Sequence, residues 1–120
     1  MSPKTRKFVK LNRIAKPGDY RRVFKSSCRS VDDKFLVVAK KNDLGRARLG
    51  LAISKKNIST AVSRNKIKRT IRESFRHHKN ILKDVDVVVV TNKKQTTINN
   101  KKIKESLRLH WKNISQCKNF

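Results

Sequence analysis

A chain of 120 residues has the length of one domain and can bury a modest core. Its 33 Lys and Arg against 8 Asp and Glu leave a net charge of +25, a surface that repels itself unless a polyanion is the usual partner. The longest apolar run, Val87 to Val90, is far shorter than the roughly 20 residues of a membrane-spanning helix, so no such helix is expected and nucleic acid is the expected partner.

Residues 1–10 read as a basic, flexible arm, and no apolar signal segment follows them, so the expected location is the cytoplasm. Pro17 suits a first helical turn and Asp19 suits the positive end of its dipole. Tyr20, Val23 and Phe24 then recur at helical spacing, which predicts a helix to about Ser27. Phe35 to Lys41 is β-branched and aromatic and predicts a strand. Asn42-Asp-Leu-Gly45 signals a turn, and Arg46 to Ser54 alternates with Leu49, Leu51 and Ile53 on one face. Together these predict an antiparallel hairpin.

A long helix is expected over about Ser59 to Lys79, with Ile67, Ile71 and Phe75 as its buried stripe. Asp84 to Thr91 holds apolar residues on consecutive positions, the pattern of a strand covered on both faces. A final helix over about Asn99 to Ile114 buries Ile103, Leu107, Trp111 and Ile114. The order helix, strand, strand, helix, strand, helix predicts an α+β sandwich, with helices packed on a small sheet. Two cysteines, Cys28 and Cys117, lie far apart in sequence; a bond between them is possible but disfavoured in a reducing cytosol. His77, His78 and His110 have no cysteine at zinc-site spacing, so no metal is expected.

The most informative segment lies on the long helix. At 100° per residue, Arg64, Asn65, Lys68, Arg69, Arg72 and Arg76 sweep an arc beside the apolar stripe. Arginine forks suit phosphate, and the Asn65 amide supplies both a donor and an acceptor for a sugar or base edge. Only Glu73 offers these cations an intrahelical partner, at i, i+4 from Arg69, so most of the charge is left for RNA. A merely solvated basic face is the competing reading.

Ala61-Val62-Ser63-Arg64-Asn65-Lys66-Ile67-Lys68-Arg69, with Lys55-Lys56 before it and Arg72-Glu73 after it, resembles the signature of the bacterial ribonuclease P protein component. The core of that signature is Arg-Asn-x-x-Lys-Arg. Leu11-x-x-Ile14-x-Lys-Pro-x-Asp-Tyr20-x-x-Val23-Phe24 is similar to the family's first helix, and Arg48-Leu-Gly-Leu-Ala-Ile-Ser-Lys-Lys56 to its second strand. The resemblance spans residues 11–114, with 115–120 as a C-terminal tail. Where many members have a Gly after the double Lys, this chain has Asn57-Ile-Ser-Thr60.

The resemblance implies a sheet of about four strands flanked by three helices, with a left-handed βαβ crossover. Periodicity alone gives three strands and misses the fourth. It also implies the protein subunit of an endoribonuclease whose RNA subunit carries the chemistry, the Mg²⁺-dependent removal of the 5′ leader from precursor tRNA. Arg64, Asn65, Lys68, Arg69, Arg72 and Arg76 would then dock on the catalytic RNA. Tyr20, Phe24 and Phe35 would offer ring faces to unpaired leader bases, with Lys55 and Lys56 gripping its phosphates and Arg46 and Arg48 as further candidates. No obligate protein partner is evident, and the protein itself carries no expected catalytic residue or bound cofactor.

Two other readings compete. A self-sufficient nuclease needs clustered carboxylates, and only Asp32-Asp33 and Asp84-x-Asp86 come close; a polar strand entry explains the second pair. A ribosomal or chaperone-like RNA binder explains the charge, but not the basic helix together with the Tyr20/Phe24 pair.

Overall fold

The computed structural model describes residues 13–14, 16–95, 98–118 and 120; the expected arm over residues 1–10 lies outside them. Seven elements follow in order: α1 (Pro17–Phe24), β1 (Cys28–Val31), β2 (Phe35–Lys41), β3 (Arg48–Ala52), α2 (Ala61–His77), β4 (Val85–Thr91) and α3 (Asn100–Ser115). Pro17 opens α1 at its first turn, while the Thr60 and Asn99 side chains cap α2 and α3 by accepting from Ser63 N and Lys102 N.

The four strands form one mixed sheet in the order β1-β2-β4-β3. β4 runs antiparallel to β2, with Val38 opposite Val88, and parallel to β3, with Gly50 opposite Val88. The hairpin expected from Phe35–Lys41 and Arg46–Ser54 therefore does not form, because β4 inserts between its two strands. The physical reason is burial. Val85, Val87, Val88 and Val89 are all within 5% of complete burial, and a run apolar on both faces gains most at the sheet centre with both edges paired. The sheet's actual hairpin is β1–β2, turned over Asp32–Lys34, and the Asn42–Gly45 turn, with Gly45 at φ 71°, starts the longer way to β3.

One face of the sheet packs Phe35, Val37, Val87 and Val89 against Ile67, Ile71 and Phe75 of α2 and Leu107 and Trp111 of α3. Trp111 meets Phe75 edge-on at 5.8 Å between centroids, and its Nε1 donates to Ser74 Oγ at 2.8 Å. The other face packs Val38 and Val88 against Ile14 and Val23, with Tyr20 partly buried beside them. Thus, among the described elements, α1 covers one side of the sheet and α2 and α3 the other, with β3–α2–β4 as the crossover between parallel neighbours. At the C-terminal end Ser115 still belongs to α3, Cys117 and Phe120 pack against the core, and Cys117 is bonded to Cys28. Compartment argued against that bond, but only the fold reveals that the two residues are neighbours.

Asp32 closes the β1–β2 turn and has a pH consequence. Its Oδ1 accepts from Lys34 N at 2.9 Å and Phe35 N at 2.8 Å, its Oδ2 accepts from the Ser106 hydroxyl, and His110 Nε2 lies 3.1 Å from Oδ2. Burial alone would raise this carboxyl, but the Ser106 hydrogen bond, the two backbone N–H groups and His110 together hold it below the usual carboxylate range. A carboxylate depressed in the folded state contributes stability at neutral pH that is lost as pH falls through about 4 and below. Asp32→Asn should accordingly flatten the acid limb of a Tm-against-pH curve. An unchanged slope would show that the acid limb comes from other groups.

Candidate nucleic-acid interface

α2 seats Ile67, Thr70, Ile71 and Phe75 in the core, and Thr70 Oγ1 donates back to Lys66 O. Its remaining surface carries the basic arc expected from the sequence, but the six residues divide into distinct environments. Arg64 donates through one nitrogen to the carbonyls of Ile58 at 2.9 Å and Ser59 at 3.0 Å, so it fastens the Asn57–Thr60 loop to the helix start. Asn65 and Arg69 are exposed. Arg76 pairs with Glu73 at 2.9 Å, so the acid is taken by its i+3 neighbour and not by Arg69 as helix spacing suggested. Lys68 and Arg72, half-buried, lean the other way, toward α1.

There they meet Tyr20. A cleft of about 210 Å³ is lined by Arg13, Ile14, Tyr20, Leu49, Leu51, Lys68 and Arg72. It follows the outer edge of β3, where Arg13 bridges to Leu49 in parallel register and Ile14 N donates to Leu49 O at 3.0 Å. The Tyr20 ring lies directly over Gly50, so close that a Cβ there would stand 2.7 Å from the ring. Burial first, and the positive charge of Arg13 second, disfavour the Arg72 cation. Crowded like charges beside an aromatic face favour an anion carrying flat bases, because a phosphate relieves the repulsion and a base covers the ring.

Phe24 lies one turn beyond Tyr20 at the end of α1 and is 36% exposed. Lys55 and Lys56 are exposed in the turn that follows β3. Phe35 departs from its expected role. It is completely buried, edge-on to His110 at 6.4 Å between ring centroids, and presents no face to a base. It faces the α2/α3 side of the sheet, away from α1, because side chains alternate along a strand.

The two carboxylate pairs singled out in the sequence are used in other ways. Asp86 is completely buried, accepts from Arg48 Nε at 2.8 Å and Arg48 NH2 at 2.7 Å, from Asn42 at 2.7 Å, and pairs with Arg22. That ion pair holds the Arg48 cation and raises its pKa further, so Arg48 is committed to the fold and is not free to grip a leader. Asp84 lies before the strand, at φ 55°, and does not share a face with Asp86 as a strand position would. Among the described residues no three His, Cys, Asp or Glu side chains are grouped to hold a metal. A wider groove of about 400 Å³ between α2 and α3 mixes Glu73 and Glu105 with His77, His78, Lys104 and Arg108; its balanced charge suits a polyanion less well than the cleft at β3.

The family model described as Ribonuclease P matches residues 8–115. This chain belongs to the ribonuclease P protein family. It is 42% identical over 104 residues to the ribonuclease P protein component of Methylococcus capsulatus, covering 87% of this chain and 81% of the relative. The component from Aliivibrio fischeri is 40% identical, with 87% and 89% covered. Among solved structures, a Staphylococcus aureus RNase P protein superposes with a TM-score of 0.76 at 34% identity, covering 84% of this chain and 93% of that one. The Thermotoga maritima RNase P protein gives 0.70 at 30% identity, with 81% and 92% covered.

As a member of the family, the chain is a protein subunit of an endoribonuclease of tRNA processing, and its partner is the ribonuclease P RNA. The three-helix, four-strand α+β fold is the one the family's solved structures have. Against that background, sequence reasoning missed Arg13 and Gly50. Arg13 precedes α1 with no periodicity to mark it. Gly50, inside a strand, carried the one usable signal, since a strand glycine often marks close approach of another group.

Proposed function

We propose that the chain docks on the ribonuclease P RNA through the exposed part of α2, chiefly Asn65 and Arg69 with Arg64 and Arg76 beside them. The cleft at β3 holds the unpaired 5′ leader of precursor tRNA. The observation that carries this reading is the Tyr20 ring lying over Gly50, in a cleft bordered by Arg13, Lys68 and Arg72. Lys68 and Arg72 thereby move from the docking set to the leader set, with Phe24, Lys55 and Lys56 at its margins. Hydrolysis of the leader bond is carried by the RNA subunit with Mg²⁺, in the cytoplasm, while this chain selects and positions the substrate.

A direct test compares holoenzyme affinity for precursor and mature tRNA. The leader-bearing form should bind tighter; equal affinities would remove the leader site. Salt separates the two surfaces. Each phosphate contact adds about 0.7 to 0.9 to the log–log slope of affinity against salt. Arg69→Ala should flatten that slope for docking on the RNA subunit. Arg72→Ala should flatten it for precursor tRNA binding and leave docking unchanged. The opposite assignment would place Arg72 on the RNA-subunit interface.

A further inference from the structure

Among the described residues β1 is an edge strand, paired with β2. Its second support is a seam with α3. The inward residues Cys28 and Ser30, followed at the same spacing by Asp32, meet Cys117, Asn113, His110 and Ser106 in antiparallel order. Asp32 holds Ser106 and faces His110; Ser30 Oγ lies 2.6 Å from His110 Nδ1 and accepts from Asn113 Nδ2 at 3.0 Å. Cys28 is bonded to Cys117 with their Cα atoms 5.9 Å apart.

The same strand holds the end of α1. The Arg29 guanidinium donates to Phe24 O at 2.6 Å and to Ser26 O at 3.3 Å, and Cys28 N donates to Ser26 Oγ at 3.2 Å. The covalent link therefore lies next to the contacts that anchor the C-terminal end of α1, where Phe24 sits.

We propose that Cys28 and Cys117 are a reversible thiol–disulfide site, oxidised by a small disulfide of the glutathione type, whose state sets how firmly β1 and the end of α1 are held. Cys117 is half-buried whereas Cys28 is 3% exposed, so Cys117 is the residue a small molecule reaches first. Its thiolate attacks the small disulfide, forming a mixed disulfide and expelling one small thiolate. The Cys28 thiolate then attacks the Cys117 sulfur and expels the second. The two cysteine protons pass to the departing thiolates, and the small disulfide takes up the two electrons. The bond closes a loop with a sequence separation of 89, so it removes considerable freedom from the unfolded chain. In a cytoplasm, the setting taken from the reading above, such bonds are characteristically transient and redox-sensing. The chemistry itself does not depend on that setting.

The test uses the purified full chain in glutathione buffers from fully reducing to fully oxidising. Mass after thiol alkylation, Tm and hydrogen exchange of the β1 amides are read on each sample. The cysteines should interconvert reversibly. The reduced form should melt on the order of 10 °C lower, with faster exchange in β1 than in β4. C117S and C117A should both match the reduced form at every ratio. Cysteines that stay reduced in the most oxidising buffer, disulfide-linked dimers in place of the internal bond, or an oxidised chain that melts and exchanges like C117S would each overturn the proposal.

Discussion

Asp86→Ala should be among the most destabilising single substitutions in this protein. The carboxylate is completely buried and satisfies Arg48, Asn42 and Arg22 together, so its removal strands positive charge against the sheet. Breaking such a buried pair from one side costs on the order of 3–5 kcal/mol, a large part of the roughly 5–15 kcal/mol that holds a domain together. Arg22 is 37% exposed and recovers water, so most of the loss falls on Arg48, whose side chain is 15% exposed. The Tm should drop by on the order of 10–20 °C. Asp86→Leu combined with Arg48→Met should recover part of it, because it removes the Arg48 charge as well and the Arg22 and Asp19 left over both reach water. A wild-type melting curve for Asp86→Ala would show that the cluster contributes nothing. The folded fraction of Asp86→Asn should still support leader cleavage at the normal single-turnover rate when saturating; a large fall would make Asp86 a catalytic ligand after all.

Tyr20→Ala carries the largest expected effect on substrate selection. A base stacked on an aromatic ring contributes about 1–3 kcal/mol in single-stranded recognition, so precursor tRNA should bind roughly 5- to 150-fold more weakly. Mature tRNA has no leader to stack and should bind as before. Gly50→Ala tests the same site from beneath, since its Cβ would occupy the space of the Tyr20 ring and push it off the strand. It should reproduce the selective loss with the tyrosine still present. Packing predicts a different pattern, because Tyr20 also covers Val38 and Val88. If its only role were structural, Tm would fall and both tRNAs would lose affinity alike in the folded variant.

Much of this architecture was legible in the chain. The Ile67, Ile71 and Phe75 stripe and the Val87–Val90 run, buried through Val89, each announced their burial, and α2, β4 and α3 fall where those patterns put them. β1 was not legible because one of its two inward residues is Ser30, satisfied by His110 and Asn113; a polar residue facing inward erases the alternation that marks a strand. The false hairpin arose because a turn signal fixes a change of direction, not which strand becomes the neighbour. In the site, Tyr20 was found on one helix and Lys68 and Arg72 on another, but their meeting across the edge of β3 depends on the crossover and on the approach of residues 13–14. Phe35 was misplaced for a simpler reason, since composition marks an aromatic residue but not the face of the sheet it takes.

On the function proposed above, this chain assists an RNA enzyme and leaves the cutting of RNA to the RNA subunit. The most direct measurement adds the purified chain to a bacterial ribonuclease P RNA at low Mg²⁺ and follows release of the 5′ leader from precursor tRNA. Leader release should be strongly stimulated by the chain and absent when the chain is present without the RNA. Cleavage by the chain alone, or no stimulation of the RNA at any protein concentration, would contradict the account.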